Sequence, residues 1–273
     1  MTELVTIDID AGVADVRLNR PDKYNALSPA MFEAIIEAGA SLATNPAVRA
    51  VVVSGNGPGF CAGLDFTSFQ GMGDRGDADQ ATGATDAFAA DGAGPENRGQ
   101  RPAWGLKQLP VPVIAAVHGV AYGGGLQVAL GADIRLAAPD AKLSVMEIKW
   151  GLVPDMGLTA TLRDIVRLDV LKELTFTGRI VSGEEAVGLG LVTRVVDDPL
   201  AAALELAREI AGKSPDAIRH GKRLIEESWA GDVATGLGLE ASLQKELIGS
   251  PNQLEAITAN FEKRAPAFVD PAA

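Results

Sequence analysis

Val5, Ile7 and Ile9 alternate with polar neighbours, and after Asp10-Ala11-Gly12 the alternation resumes at Ala14, Val16 and Leu18. This period of two predicts a hairpin of two strands, each with one buried face. Ser28-Pro29 then supplies an N-cap and a first-turn proline for a helix whose core face is Met31, Phe32, Ile35 and Ile36. Ala50 to Ser54 is a continuous apolar strand. The scheme returns further on: Val111 to Val117 is a strand, Leu126 to Leu130 a short helix, and Asp133 to Ala137 and Lys142 to Met146 are further strands. The chain is therefore α/β, with a weakly repeated order of strand, strand, helix. After Val195-Val196-Asp197-Asp198 the spacing turns helical to the end, with stripes at Leu204, Ala207 and Ile210, at Ile218, Leu224 and Ile225, and at Leu243, Leu247 and Leu254. These stripes exceed what one small helical layer buries alone, so they predict packing on the core or on another subunit. The division that follows is a core over residues 1–198 and a helical unit over 199–273.

The remaining stretches narrow the picture. Gly71 to Gln100 is rich in Gly, Ala and Asp with almost no large apolar side chain, which predicts a surface loop, either a lid or a tolerated insertion. Val111 to Ala132 has no lysine, arginine or carboxylate over a membrane-spanning length. Pro112, His118, Gln127 and the run Gly123-Gly124-Gly125 interrupt it, so it reads as buried strand, glycine turn and helix, and no membrane association is expected. The 273 residues suit one domain with a full core or a core plus a small appended unit. A net charge of −12 argues against nucleic acid as partner, while leaving room for a small anion held by a few local cations. Cys61 is the single cysteine, so no intrachain disulfide forms, and the start of the chain lacks a basic and an apolar region. A cytoplasmic setting is the expectation.

Candidate chemistry gathers at two glycine turns. Gly55-Asn56-Gly57-Pro58-Gly59-Phe60 follows a strand but has Phe60 where a dinucleotide fingerprint needs glycine, and it lacks the P-loop lysine. Gly123-Gly124-Gly125, between a buried strand and a helix, either packs the two tightly or lets a ligand approach backbone N–H groups. Cys61-Ala62-Gly63-Leu64-Asp65 is a second such turn. Together they can present a pair of N–H groups to one carbonyl oxygen, the arrangement that stabilises a thioester enolate. Proton transfer then needs carboxylates. Glu147 and Asp155 stand among apolar residues, where burial and mutual repulsion should raise at least one pKa; Asp155 reads equally well as a cap or ion-pair member. The histidines are His118, read as a hydrogen-bonded core residue, and His220, among Arg219, Lys222 and Arg223. Neither makes a Cys or Ser triad or a metal cluster attractive, and no metal is expected.

Asn19-Arg20-Pro21-Asp22-Lys23-Tyr24-Asn25-Ala26-Leu27, Phe60 to Phe66 and Ala116 to Gly125 resemble, in order, motifs of the enoyl-CoA hydratase/isomerase (crotonase) family. Glu147 to Gly157 and Phe261 to Phe268 continue the likeness, which spans nearly the whole chain. The resemblance implies a crotonase-like spiral of strand-strand-helix repeats and a C-terminal helical unit used in trimer formation. It also implies a homotrimer or a hexamer made of two trimers, an acyl-CoA thioester as substrate, and no cofactor beyond the coenzyme A that the substrate carries. The backbone N–H groups of Leu64 and Gly124 match the family's oxyanion hole. Lys23, Tyr24, Ala26 and Leu27, with Ala62, Leu64, Asp65 and Phe66, match the coenzyme A channel, and Lys263 matches a tail lysine that reaches its phosphates. Gly123, Gly124, Gln127, Met146 and Pro154 complete the expected substrate-binding set.

One departure bears on the reaction. Family hydratases hold and split water with two glutamates, and the first of these positions is Gln127 here. An amide can hold a water but cannot shuttle its proton. Asp155 matches the aspartate that family dienoyl-CoA isomerases set opposite the later glutamate, here Glu147, although those enzymes also have an acid at the Gln127 position. The expectation is double-bond isomerisation of an enoyl- or dienoyl-CoA by Glu147 and Asp155. The alternatives are a 2-enoyl-CoA hydratase, and a catalytically silent acyl-CoA-binding or assembly protein.

Overall fold

The computed structural model describes residues 3–65, 67, 94–163 and 165–271. Strands β1 (Val5–Asp10) and β2 (Val13–Leu18) form the predicted hairpin, with Val5 opposite Leu18 and Ile7 opposite Val16. Helix α1 (Pro29–Ala43) starts where Ser28 Oγ accepts a hydrogen bond from the Met31 N–H, and it buries Met31, Ile35, Ala38 and Leu42. Then come β3 (Ala50–Gly55), α2 (Arg101–Lys107), β4 (Val113–Val117), β5 (Val120–Tyr122), α3 (Gly124–Leu130), β6 (Ile134–Ala137) and β7 (Lys142–Ser144). The chain continues through α4 (Leu158–Thr161), α5 (Leu168–Thr177), β8 (Val181–Ser182), α6 (Gly183–Gly188) and β9 (Arg194–Val195). It ends in α7 (Pro199–Ala211), α8 (Pro215–Ser228), α9 (Val233–Leu247) and α10 (Pro251–Glu262).

Two sheets result. The larger has the order β1-β2-β3-β4-β6-β9, parallel beyond the hairpin; the smaller has the order β5-β7-β8. Successive strands alternate between them, β4 then β5, β6 then β7, so the chain winds as a spiral. Isolated bridges Leu27–Leu64 and Cys61–Ala121 extend the same pairing to the earlier turns of the chain. Alternate residues of one strand enter different cores, because both faces of the large sheet are covered. Val51, Val53, Ala115 and Val117 join α1 and α3 in the main core, whereas Val52, Ile114, Ala116 and Leu136 pack under Ala203, Ala207 and Ala211 of α7.

Three sequence expectations change. Only Val5 of β1 is buried by packing on the core; Ile7 and Ile9 are 37% and 41% exposed, since β1 is the edge strand and has no neighbour beyond it. Sheet pairing of the Val111 segment begins at Val113, after Pro112, which has no N–H to donate. The Lys142 strand ends at Ser144, because Met146 takes a helical backbone and Glu147–Trp150 forms a 3-10 turn. Most of the Gly71–Gln100 stretch lies outside the described residues, as do Phe66 and Phe69.

Candidate active site

The two glycine turns meet. Gly63, at φ +86°, packs so closely under Tyr122 that a Cβ would stand 2.6 Å from the Tyr122 carbonyl oxygen and 3.6 Å from the Gly124 nitrogen. Gly123, at φ +52° and ψ −122°, turns the chain from β5 into α3, a conformation that a side chain would strain. Its N–H donates to Ser144 O of β7 at 2.9 Å. The next N–H, that of Gly124, opens the helix and has no acceptor within it. The Leu64 N–H is likewise not taken by any protein acceptor among the described residues, although its neighbours are: Leu27 N donates to Gly63 O and Asp65 N to Leu27 O. The expected pair of free donors is therefore present on adjoining turns.

The turn at Leu64 is held from behind. Asn25, fully buried with φ +56°, donates through Nδ2 to the carbonyls of Asn56, Gly59 and Phe60 and accepts from Arg20 N. Arg20 Nη1 reaches Asp65 Oδ2 at 2.6 Å, while Asp65 Oδ1 accepts from the N–H and hydroxyl of Thr67. The Thr67 and Arg20 bonds hold the Asp65 carboxyl below the usual carboxylate range. Its side chain is thus committed to the fold. Lys23 and Tyr24 are exposed, Ala26 and Leu27 are buried, and Ala62 N donates to Tyr24 O. Cys61 is buried, with its thiol pushed up to about 12 by burial, which fits a packing role.

Glu147 is 7% exposed at the start of its 3-10 turn, facing the backbone of Gly123: a Cβ there would stand 3.4 Å from Glu147 Oε1. Oε1 accepts from Gln127 Nε2 at 2.6 Å, and the buried Oε2 has no protein partner. Burial, with a smaller contribution from the charge of Asp155, raises the Glu147 pKa. Asp155 lies on the exposed rim after Pro154, with its pKa also raised by partial desolvation. Gln127 is buried and Met156 donates its N–H to Gln127 Oε1 at 2.8 Å; the Met156 side chain and Leu27 lie against Gly124. Met146 caps the 3-10 turn.

Leu64, Gly123, Gly124, Gln127, Glu147 and Met156 are therefore drawn together from four separate stretches of chain, with Asp155 close enough for its charge to act on Glu147. Met156 is the member that sequence patterning missed; an apolar residue in an apolar segment carries no signal of a functional backbone donor. Lys263 is not brought in. It is exposed at the end of α10, beside Arg264, which pairs with Glu255 and Glu262. Trp104 lines a different cleft, of about 870 Å³, with Ile218, Lys222 and Trp229, and Trp150 is about half exposed with Lys149 over its ring. His118 donates through Nε2 to the Gly57 carbonyl at 2.9 Å, and His220 pairs with Glu246. The Cys61 thiol donates to the Asn25 carbonyl at 3.1 Å, and no group of three or more His, Cys, Asp or Glu suited to a metal exists among the described residues.

Comparison with known proteins places the chain in a family. The family model for enoyl-CoA hydratase/isomerase matches residues 8–271. Mouse mitochondrial methylglutaconyl-CoA hydratase is 32% identical over 264 residues, covering 94% of this chain and 79% of the relative. Mouse enoyl-CoA hydratase domain-containing protein 2 is 35% identical over 268 residues, covering 94% and 84%. The crystal structure of an enoyl-CoA hydratase from Bacillus anthracis superposes with a TM-score of 0.86 at 32% identity, covering 97% of this chain and 98% of that one. No helix among the described residues is long and apolar enough to cross a membrane. The chain belongs to the enoyl-CoA hydratase/isomerase family and is an acyl-CoA enzyme of the crotonase fold.

Proposed function

We propose that the protein moves a double bond in an enoyl- or dienoyl-CoA by proton transfer through an enolate. The thioester oxygen would accept hydrogen bonds from the Leu64 and Gly124 N–H groups, which stabilise the negative charge as it forms. A carboxylate takes a proton from the acyl chain: the C–H bond breaks, its electron pair spreads through the alkene onto the thioester oxygen, and a proton returns at the far end of the conjugated system. Glu147 and Asp155 share these two roles. Raised pKa values suit both, since a carboxyl group poised nearer neutrality can both accept and return a proton. The chemistry requires no cofactor beyond the substrate's own coenzyme A, whose channel would run past Lys23 to Leu27 and the Ala62 turn.

The observation that carries this reading is the use of Gln127. Its amide oxygen is bonded to Met156 N and its amide nitrogen to Glu147, so the position that would be the second water-splitting acid carries no proton to transfer and is already occupied at both ends. Hydration is the second reading, favoured by the names of the relatives. Incubating the enzyme with 2-enoyl-, 3-enoyl- and 3,5-dienoyl-CoA in deuterated water separates the two by mass. A shifted double bond with deuterium and no added water supports isomerisation; addition of water to the 2-enoyl substrate makes it a hydratase.

Assembly through the C-terminal helices belongs to the same proposal. Phe261 is 84% exposed, and Leu254, Ile257, Leu237 and Ile225 on α8, α9 and α10, with Trp229 just after α8, are also open to solvent. Such a density of exposed apolar side chains supports association into an oligomer, for which the family resemblance implies a trimer-based form.

A further inference from the structure

Gln127 stands where two demands meet. Met156 N–H needs an acceptor, and Oε1 of the buried Glu147 needs a donor. A neutral amide meets both at once, without any change of charge. A carboxylate at this place would accept from Met156 but would set a second negative charge against Glu147 Oε1, unless it kept a proton. The consequence for Glu147 is asymmetric: one oxygen is tied, and Oε2 is buried without a protein partner. The same amide fixes Met156, and through it the adjacent Asp155, relative to Glu147.

We infer that Gln127 is a positioning residue, clamping Glu147 by Oε1 so that Oε2 is the atom that exchanges protons, and locking the Asp155–Met156 segment in register with it. The inference rests on Glu147 being the proton carrier of the proposed reaction. It differs from a water-binding role for Gln127, because the amide oxygen and one amide N–H are already used within the protein.

The test uses Gln127→Ala and the isosteric Gln127→Glu, with two readouts. The first is the pH profile of isomerisation; the second is the titration of the Glu147 carboxyl in protein carrying carbon-13-labelled glutamate, the signal being assigned by its loss in Glu147→Gln. The charged group acting on Glu147 is Asp155, which all these variants retain. In Gln127→Ala, loss of a hydrogen bond to the charged form should move the Glu147 titration upward and lower kcat by about 10- to 100-fold, with KM within about twofold. In Gln127→Glu, a protonated Glu would imitate the amide, so activity should survive at low pH and fall as the shared proton is lost, adding an alkaline limb absent from the parent. A Glu147 titration that is the same in all three proteins overturns the inference, as does a Gln127→Glu profile without the added limb. If the parent moves no double bond, the proposed reaction fails, and the carbon-13 titration still decides the clamp.

Discussion

The Arg20 guanidinium lies 2.6 Å from Asp65 Oδ2, joining the segment after β2 to the turn that carries the Leu64 N–H. The pair sits beside Asn25, which gathers three carbonyls of the preceding loop, so one donor of the candidate oxyanion hole is fixed by side chains that never face the substrate oxygen.

The pair has a signed pH dependence. Bonds from Thr67 and Arg20 hold the folded Asp65 carboxyl below its ordinary value, so its contribution to stability is present above the ordinary carboxylate range and is lost as pH falls through the lowered value. Asp65→Asn should therefore cost about 2 kcal/mol at pH 7, because an amide N–H or oxygen cannot replace the charged bond to Arg20. Urea denaturation at pH 7 and at pH 3 checks this: the gap between variant and parent should narrow at the lower pH. An equal gap at both would remove the ionised pair as its cause.

Glu147 carries the opposite sign. Its raised pKa means that the folded state holds the proton more tightly than the unfolded chain, so stability falls as pH rises from the ordinary carboxylate range through the raised value. Glu147→Gln removes this ionisation and should stabilise the fold by about 1 kcal/mol at pH 7 while making little difference at pH 4. Thermal melts at the two pH values give the answer. A destabilised variant at pH 7 would mean that the ionised carboxylate is better solvated than its burial implies.

The exposed C-terminal side chains lead to a third expectation. Sedimentation should find an assembly larger than the monomer, and Phe261→Asp combined with Ile257→Asp should shift it toward smaller species. A parent that sediments as a monomer would contradict the proposed assembly.

Most of the site was legible where chemistry is unusual for its surroundings. Carboxylates among apolar neighbours and glycines between strand and helix draw attention to Glu147, Asp155, Gly63 and Gly123 from the sequence alone, although Asp155 read equally well as a cap or ion-pair member. The β3–β4 framework was legible for a similar reason: parallel strands buried on both faces read as continuous valine and alanine runs. What the pattern does not carry is tertiary choice. Nothing in the alternation of β1 says that Ile7 and Ile9 lie at an uncovered edge. Nothing in the sequence pattern says that the Asp65 carboxylate is bound by Arg20, 45 residues away. Gln127 read as an amide able to hold a water, and its bonds to Glu147 and Met156 emerged only with those residues folded against its two ends.

The account turns on Glu147 moving protons at a thioester-activated carbon. Its most direct test is the exchange of the α-protons of a 3-enoyl-CoA with deuterated water, followed by mass spectrometry for the parent, Glu147→Gln and Asp155→Asn. The parent should exchange and isomerise, and Glu147→Gln should lose at least about 100-fold in both, the share general acid–base catalysis ordinarily supplies. Asp155→Asn should slow isomerisation of the dienoyl substrate. Exchange by Glu147→Gln at the parental rate would contradict the assignment of Glu147 and with it the mechanism.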